Sequence, residues 1–357
     1  MKKLGVVYGG KSAEHEVSLS TALAVTGAIN YTNYEVYPIF ITKNGEWRCG
    51  ERLLSAPTSI EALLFKGDDT KADDVLPFLV NEQGERRHFD VILPLIHGTN
   101  GEDGTIQGFF EVLNMPYAGN GVLSSSASMD KHIMKQLFAH AGLPQLPYEA
   151  FIRIQWEQEQ ATIIEKCEQR LGYPMYVKPA NLGSSVGISK VTTQEELIAG
   201  VKTALMYDRK IVIEQGVVAR EIELAVLGND EPKVSVPGEI KSTTDFYDYE
   251  SKYHDNKTEL VIPAELSETA YAQLQTYAIE AFKAVDGSGL IRADFFVTAD
   301  ERIYINEVNT LPGFTPMSMY PLLWQETGLP YPDLIDELIQ LAIHRHEEKQ
   351  QLQFKLK

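Results

Sequence analysis

The pattern of apolar and polar residues between positions 289 and 309 is the one around which the rest of the chain can be organised. Two apolar, β-branched and aromatic runs, 291–297 and 303–308, flank a short polar break at 298–302. Runs of this kind on either side of a polar turn are typical of a β-hairpin. The sequence therefore predicts two paired antiparallel strands here, and the rest of the chain can be arranged around them.

The polar positions of this hairpin predict a cluster of oxygen ligands. Side chains alternate faces along a strand, so Arg292 and Asp294 share a face, and so do Glu307 and Asn309. If the two faces coincide, Asp294, Glu307 and Asn309 present hard oxygen donors of the kind that Mg²⁺ prefers, with an arginine beside them. The alternative is two strands whose polar faces are simply solvated. The Pro-Gly turn that follows favours the site, because it makes a rigid loop that offers Ser318 as a donor.

The first 120 residues show the pattern of a doubly wound α/β unit. An apolar strand at 4–8, a glycine loop and a helix at 16–29 precede apolar strands at 36–42 and 90–97. Ligands bind such units at the carboxyl ends of the strands. Glu14 in the first loop suits a positively charged group, whereas His15 is expected to face solvent. The loop 97–105 is either a second wall of the cleft or a plain connection.

Residues 5–12 read GVVYGGKS and match the Walker A pattern, but we interpret the match as accidental. A phosphate loop needs its four intervening residues in the loop itself. Here Val6, Val7 and Tyr8 are strong strand formers, and the helix is expected to begin well after Lys11.

The middle of the chain contains a second glycine-rich loop. The segment 173–191 predicts a strand ending near Lys178, a Gly/Ser loop and a second strand. Such a loop can fold over phosphates with its backbone N–H groups, or it can be a simple hairpin turn. Before it, residues 121–142 read as a serine-rich entry and a helix that carries Lys131 and closes at Gly142.

Segments further along add candidate nucleotide contacts and a candidate lid. Residues 210–228 predict strand, linker and strand, with Glu214 and Glu221 bracketing the linker; the alternative is a crossover between two domains. The polar stretch 242–260 contains Lys252 and Tyr253, and loops of that length are usually lids or disordered. Helices are predicted over 262–285, with Ser267 as N-cap, and over 332–350.

Composition narrows the class of protein. The 357 residues hold 50 acidic and 32 basic side chains, for a net charge of −18. This balance disfavours nucleic-acid binding, which needs a basic face. Cys49 and Cys167 lie far apart without a CxxC pairing, which favours a reducing compartment. No apolar run approaches the length of a membrane span, so the expectation is a cytoplasmic protein with neither nucleic-acid nor membrane partners.

Taken together, the motifs resemble those of the D-alanine–D-alanine ligases of the ATP-grasp superfamily, almost end to end. The matching segments are GGKSAEHEVS, HGTNGEDGTIQG, SMDKHIMK, VKPANLGSSVGISKV, REIELAVLG, FYDYESKY, RADFF and NEVNTLPGFTPMS. The resemblance implies an α/β fold of three domains. These are an N-terminal Rossmann-like substrate domain (1–120), a central ATP-grasp subdomain with the glycine-rich loop (121–213), and a C-terminal ATP-grasp subdomain with the metal site and lid (214–357).

The resemblance also implies residue roles. On the nucleotide side it assigns Lys131, Lys178 and Ser185 to the phosphates, Glu214 and Glu221 to adenine and ribose, and Lys252 to the γ-phosphate. Two Mg²⁺, replaceable by Mn²⁺, are assigned to Asp294, Glu307 and Asn309. On the amino-acid side it assigns the first ammonium to Glu14, a carboxylate and developing negative charge to Arg292, the second carboxylate to Ser318, a place in the cleft wall to His97, and a link from Ser184 to Tyr253 and Glu14. Gln215 and Gly216 stand where relatives often have a bulkier pair, so adenine stacking should differ in detail.

The implied function is ATP-dependent ligation of two D-alanines through a D-alanyl phosphate, for peptidoglycan synthesis, by a homodimer. The alternatives are a D-alanine–D-lactate ligase, against which Tyr253 argues, or another ATP-grasp carboxylate–amine ligase. A rival from another class is a non-catalytic amino-acid-binding module built on the N-terminal unit.

Overall fold

The structure is a computed structural model that describes residues 1–67, 74–81, 83–241 and 259–353. Three β-sheets with flanking helices make up the described chain, which confirms the α/β class predicted from the sequence. Lys252 and Tyr253, two of the predicted site residues, lie outside the described ranges. Among the helices of these ranges, none combines the length and apolar character that a membrane crossing needs.

The N-terminal sheet has the strand order β3-β2-β1-β4, with β1 parallel to both β2 and β4. Its elements are β1 (Lys2–Gly9), α1 (His15–Ala28), β2 (Tyr34–Ile41), β3 (Trp47–Cys49), a 3₁₀ helix (Ile60–Leu63), α2 (Leu76–Leu79), β4 (Val91–Pro94) and α3 (Thr105–Val112). The parallel core β1, β2 and β4 confirms the strands predicted from the apolar runs. Because β1 continues to Gly9 and α1 begins only at His15, Val6, Val7 and Tyr8 lie in a strand, as predicted.

A second sheet, with order β5-β8-β6-β7, is antiparallel throughout. It is built from β5 (Tyr148–Ile152), α6 (Arg153–Arg170), β6 (Met175–Pro179), β7 (Ser189–Val191), α7 (Gln194–Ala204) and β8 (Lys210–Gln215). The β6–β7 pair is the predicted strand–loop–strand around the Gly/Ser loop. Since β8 runs to Gln215, Glu214 belongs to this sheet.

The third sheet has the order β12-β11-β9-β13-β14, and β10 pairs with β9. Its elements are β9 (Arg220–Gly228), β10 (Lys233–Val234), β11 (Gly238–Lys241), β12 (Glu259–Val261), α8 (Glu268–Ala284), β13 (Gly289–Val297) and β14 (Ile303–Asn309). The linker between β8 and β9 therefore crosses from one sheet to the next. Ser267 caps α8 by accepting a hydrogen bond of 3.1 Å from the Ala270 N–H, as predicted.

The helices between and after these sheets join them. The serine-rich stretch is itself a helix, α4 (Val122–Met129), and Asp130 separates it from α5 (Lys131–His140) by accepting hydrogen bonds from two N–H groups of α5. Met134 and Phe138 of α5 pack in the core beneath the third sheet. The last helices, α9 (Met319–Glu326) and α10 (Tyr331–Gln350), pack in one core with strands of the N-terminal sheet. Helices therefore join the sheets that surround the cleft described next.

Candidate active site

A cleft of about 1730 Å³ is lined by side chains of the second and third sheets and by residues of α1 and the loops that follow strands of the N-terminal sheet. Every predicted site residue that the structure describes lines it, except Lys131. The lining members are Glu14, His97, Lys178, Ser184, Ser185, Glu214, Glu221, Arg292, Asp294, Glu307, Asn309 and Ser318. Residues far apart in the sequence thus meet in one cavity.

The β13–β14 hairpin forms one wall, and a register shift between Asp294 and Phe295 brings its polar faces together. Asp294 pairs with Glu307 and Arg292 pairs with Asn309, so the two polar faces coincide. The Asn309 amide donates a 2.8 Å hydrogen bond to Asp294 Oδ2. Ala293 and Phe295 point to the buried side, because strand side chains alternate.

This wall has the chemistry of a magnesium site without being a compact cluster of acids. Two carboxylates and an amide present only hard oxygen ligands, which suit Mg²⁺ rather than a soft metal. Within the ranges that the structure describes, no three His, Cys, Asp or Glu side chains form a metal-binding group. A metal held here would therefore depend on oxygens from a bound phosphate as well as on the protein.

Arg292 is held between two carboxylates, one of which the sequence analysis missed. Its guanidinium donates two hydrogen bonds of 2.8 Å to Asp294, and its Nε lies 3.0 Å from Oε2 of the buried Glu223. Burial lowers the pKa of Arg292, but Asp294 and Glu223 outweigh burial and raise it well above its ordinary value. Glu223 could have been found from its spacing. Glu221 and Glu223 are two residues apart on β9, as Arg292 and Asp294 are on β13, so each pair shares one face of its strand.

Lys178 and Glu214 lie on adjacent strands, and a second lysine joins them. Lys178 Nζ lies 2.8 Å from Glu214 Oε2, and Lys135 Nζ lies 3.1 Å from Glu214 Oε1. Burial raises the pKa of Glu214, but the two lysines outweigh it and lower the pKa to about 2. Lys135 was missed, although its position four residues after Lys131 places both lysines on one side of α5.

Lys131 ties the glycine-rich loop to the hairpin wall. Its Nζ donates a 2.8 Å hydrogen bond to the Leu182 carbonyl and lies 3.8 Å from Glu307 Oε2. It therefore stands between the loop after β6 and the carboxylates of β14, beside the cavity lining.

The glycine-rich loop turns through an unusual backbone conformation. Ser184 and Ser185 have positive φ angles of 52° and 58°, and Gly187 has a φ of 74°. Positive φ is uncommon for residues other than glycine, and successive N–H groups in such turns form concave anion-binding surfaces. The Ser184 hydroxyl donates a hydrogen bond to Glu14 Oε1, which links this loop to the N-terminal sheet.

The N-terminal wall holds Glu14 and His97 beside a carboxylate that was also missed. His97 Nδ1 lies 3.5 Å from Glu102 Oε1, and its Nε2 is hydrogen-bonded to Thr21 Oγ1 at 3.1 Å. Gly98 has a φ of 73°, and a Cβ there would lie 2.4 Å from Glu14 Oε2, so glycine allows the acid to approach this loop.

The expectation that His15 faces solvent is wrong. Its side chain is 4% exposed, its Nδ1 is hydrogen-bonded at 2.7 Å to the Gly10 carbonyl, and its ring packs edge-on against Phe40. The ring thereby holds the loop between β1 and α1 and sets the position of Glu14.

Ser318 is the residue before the first turn of α9 and lines the same cleft. It accepts a 3.1 Å hydrogen bond from the Thr315 N–H, and its hydroxyl is 2.9 Å from the Thr315 hydroxyl. A helix N-terminus favours an anionic ligand. A carboxylate could bind here.

Comparisons with known proteins agree with this arrangement. The family model described as the D-ala D-ala ligase N-terminus matches residues 3–120, and that of the D-ala D-ala ligase C-terminus matches residues 137–340. The D-alanine–D-alanine ligase of Bacillus cytotoxicus is 54% identical over 99% of this chain and 98% of its own length. The corresponding protein of Listeria monocytogenes is 52% identical over 99% of each.

Solved structures of ligases share the fold. The D-alanine–D-alanine ligase from Coxiella burnetii superposes with a TM-score of 0.81 at 35% identity, over 98% of this chain and 97% of that one. A D-Ala:D-Ser ligase from Enterococcus faecalis gives a TM-score of 0.82 at 34% identity, over 96% of this chain and 99% of that one.

Proposed function

The chain belongs to the D-alanine–D-alanine ligase family, and on that premise we propose how its residues carry out the reaction. It joins two D-alanines into D-alanyl-D-alanine with ATP, releasing ADP and phosphate, as a step of peptidoglycan synthesis. The observation that carries this function is that lysines of the second sheet and opposed carboxylates of the third sheet line one cleft with Glu14 of the N-terminal unit. Such a cleft can hold a polyphosphate and an amino acid together.

The order of chemical steps follows from the substrates. A carboxylate is a poor acyl donor, so an oxygen of the first D-alanine attacks the γ-phosphorus, and ADP leaves. The amine of the second D-alanine then attacks the acyl carbon and phosphate leaves, while the amine loses its proton. The transferring phosphoryl group needs positive charge on its oxygens, and the tetrahedral step needs a donor at the new oxyanion.

The nucleotide occupies the part of the cleft between the second and third sheets. Lys131, Lys178 and the loop N–H groups around Ser185 contact the phosphates, and Glu221 holds the ribose hydroxyls. Glu214 supports the adenine end, and its carboxylate is already held by two lysines. Lys252 reaches the γ-phosphate from the segment outside the described ranges.

Asp294, Glu307 and Asn309 hold two Mg²⁺, with Mn²⁺ able to replace them. The donor set supports this assignment, since all three side chains offer oxygen and two of them face each other across the strand pair. Bound metal supplies positive charge that offsets the charge on the phosphate oxygens.

The amino acids occupy the opposite part of the cleft. Glu14 binds the first ammonium and is oriented by Ser184, which also links to Tyr253; His97 lines this end of the cleft. Arg292 binds the carboxylate oxygen that becomes the oxyanion. Ser318, at the N-terminus of α9, takes the second carboxylate.

We extend the proposal to the organisation of the chain. The proposed division is three domains, one around each sheet, with boundaries near 120 and 213, and the end of β8 at Gln215 supports a second boundary close to that position. A homodimer in the cytoplasm, where ATP is available, completes the proposal. Light scattering of the purified protein at several concentrations tests the dimer.

Phosphate release with single amino acids as substrates tests the function. D-alanine should drive stoichiometric release of phosphate and ADP with D-alanyl-D-alanine as product, measured by coupled assay and mass spectrometry. D-lactate and D-serine as acceptors distinguish the related ligases, and L-alanine should be inactive. Binding of D-alanine without ATP consumption would instead support the amino-acid-binding module.

A further inference from the structure

Lys135 is a buried cation beside the proposed nucleotide site. Its side chain lies on α5 and is 1% exposed. Its Nζ is 3.1 Å from Glu214 Oε1 and 3.5 Å from the carbonyl oxygen of Asn306, and it lies 5.6 Å from the centre of the Tyr148 ring. Lysines are almost never fully buried unless they are paired, so the ion pair with Glu214 indicates why Lys135 can be buried here.

Lys135 and Lys178 share a single carboxylate. Glu214 is 2% exposed and divides its two oxygens between the two ammonium groups. With both lysines protonated and Glu214 ionised, this trio carries a net charge of +1. Without Lys135 the net charge would be zero, and the carboxylate would have Lys178 alone as its partner.

The carboxylates around Lys178 make the charge of Lys135 important. Burial lowers the pKa of Lys178, but Glu214, Glu307 and Glu221 outweigh burial and raise it. Three carboxylates therefore act on the lysine proposed to bind phosphate. In a buried site a carboxylate and a phosphate compete for the same ammonium, because charge interactions there are poorly screened.

We propose that Lys135 is a positioning residue for nucleotide binding: it neutralises Glu214, so that the ammonium of Lys178 keeps its charge available for a nucleotide phosphate. This rests on the proposed role of Lys178 at the phosphates. Lys135 itself contacts no nucleotide in this scheme. A purely structural role, such as joining α5 to the central sheet, is the competing explanation.

The ratio of the affinities for ADP and for adenosine distinguishes the positioning role of Lys135 from a purely structural role. Both ligands share the base and the ribose, but only ADP carries phosphates. Lys135→Met removes the charge while keeping an unbranched side chain of similar length. The ratio should fall by about tenfold, as expected when one charge-assisted interaction is weakened, while adenosine affinity stays unchanged.

Removing the charge of Glu214 should suppress that loss. In Glu214→Gln/Lys135→Met, Lys178 has no carboxylate on it at this position and the trio carries +1 as in the unaltered protein, so the ADP-to-adenosine ratio should return close to that of the unaltered protein. A structural defect would persist in the double variant. Using the ratio removes any effect of Glu214→Gln on the adenine end.

Calorimetric titration of the full-length variants completes the experiment, with three further proteins. Lys166→Met is the matched control, because Lys166 also shares a carboxylate, Glu149, with a second cation, Arg170, but lies outside the cleft. Lys135→Gln replaces Lys135→Met if the latter does not fold. Lys178→Met should itself lower the ratio, which tests the proposed function separately.

Two results would overturn the inference while the role of Lys178 survives: an unchanged ratio in Lys135→Met, or a loss that Glu214→Gln fails to suppress. An unchanged ratio in Lys178→Met would instead remove the role of Lys178 in phosphate binding, and the inference with it.

Discussion

Asp294 lies directly opposite Glu307 across the antiparallel strands β13 and β14. Glu307→Gln keeps the shape of the side chain but removes the charge that holds metal against phosphate. We expect ligation to fall below detection at ordinary Mg²⁺ concentration. The free energy of unfolding should change by no more than about 0.5–1 kcal/mol, since the side chain is at the cleft surface. Phosphate release and urea denaturation measure the two effects.

Asp300→Asn is the matched control for Glu307→Gln. It also converts a carboxylate to a carboxamide, in the turn of the same hairpin, where the side chain of Asp300 is 61% exposed and pairs with Arg302. Its ligation rate should remain near that of the unaltered protein. Near-normal ligation by Glu307→Gln would remove Glu307 from the metal site.

Ser184→Ala should weaken binding of the first D-alanine more than binding of ATP. The hydroxyl donates to Glu14, and a hydrogen bond to a charged acceptor contributes about 1.5–3 kcal/mol. Loss of this orientation should raise the KM for D-alanine by about tenfold or more. Alanine keeps a Cβ, so the positive φ of this position adds no new strain.

Steady-state kinetics with each substrate varied in turn measure the Ser184→Ala effect. Ser126→Ala is the control, because Ser126 is exposed on α4 and its hydroxyl donates only to carbonyls of its own helix. An unchanged D-alanine dependence in Ser184→Ala would show that Glu14 needs no support from the loop.

The hairpin was predictable from the sequence because its determinants are local. Apolar residues at alternate positions fix which face is buried, and the short polar break sets the pairing next to the turn. The pairing of Asp294 with Glu307 was not predictable in this way, because it needs the register shift between Asp294 and Phe295. Without that shift Asn306 would lie opposite Asp294, and Glu307 would be on the other face of the strand pair. The cap of α8 by Ser267 was predictable because its determinants are also local.

The side chains that were missed act through contacts distant in sequence. The fold brings Lys135 next to Glu214 and Glu223 next to Arg292, although the members of each pair are far apart in the sequence. Helix α4 was missed because serine favours caps and turns over helix interiors. Here Ser124 donates to Asn120 Oδ1, and the Asn120 amide donates to the carbonyls of Leu290 in β13 and of Thr310 just after β14. Tertiary contacts, rather than the local sequence, therefore determine the positions of these side chains and of α4.

His97 should titrate above its ordinary value. Burial lowers its pKa, but Glu102 and Glu14 outweigh burial and raise it. Proton NMR of the imidazole should show a pKa above about 6.5, and Glu102→Gln should lower it. A value below 6.5 in the unaltered protein would mean that burial prevails.

The raised pKa of His97 also predicts a pH dependence of stability. A group whose folded pKa is raised contributes stability that is complete below its unfolded pKa and is lost as the pH rises through the folded pKa. The difference in unfolding free energy between the unaltered protein and His97→Gln should therefore shrink above pH of about 6.5.

Arg345 should be important for joining the N-terminal unit to the third sheet. From α10 its guanidinium donates to the carbonyls of Tyr117 and Gly119 and to the Ser288 hydroxyl. Arg345→Met leaves those acceptors without their charged donor and should cost about 2–4 kcal/mol of unfolding free energy, measured in urea. Arg302→Met removes an exposed arginine and should cost at most about 1 kcal/mol; equal losses would contradict the joining role.

The route through an acyl phosphate predicts where one carboxylate oxygen goes. If the first D-alanine attacks the γ-phosphorus, one of its oxygens becomes the bridge between carbon and phosphorus. When the second amine attacks the acyl carbon, the C–O bond breaks and that oxygen leaves with phosphate. Direct attack of the amine on a free carboxylate would have to expel an oxide ion, which is a far poorer leaving group.

D-alanine labelled with heavy oxygen in its carboxylate should therefore transfer one labelled oxygen to inorganic phosphate per turnover. Mass spectrometry of the phosphate detects the label, and the dipeptide should retain three labelled oxygens, one at its peptide carbonyl and two in its terminal carboxylate. Cys49 and Cys167 do not line the cleft, and burial raises the pKa of each thiol, so neither offers a thiolate for a covalent route. Dipeptide formation with no label in phosphate would rule out the acyl phosphate and, with it, the roles assigned to Lys252 and Arg292.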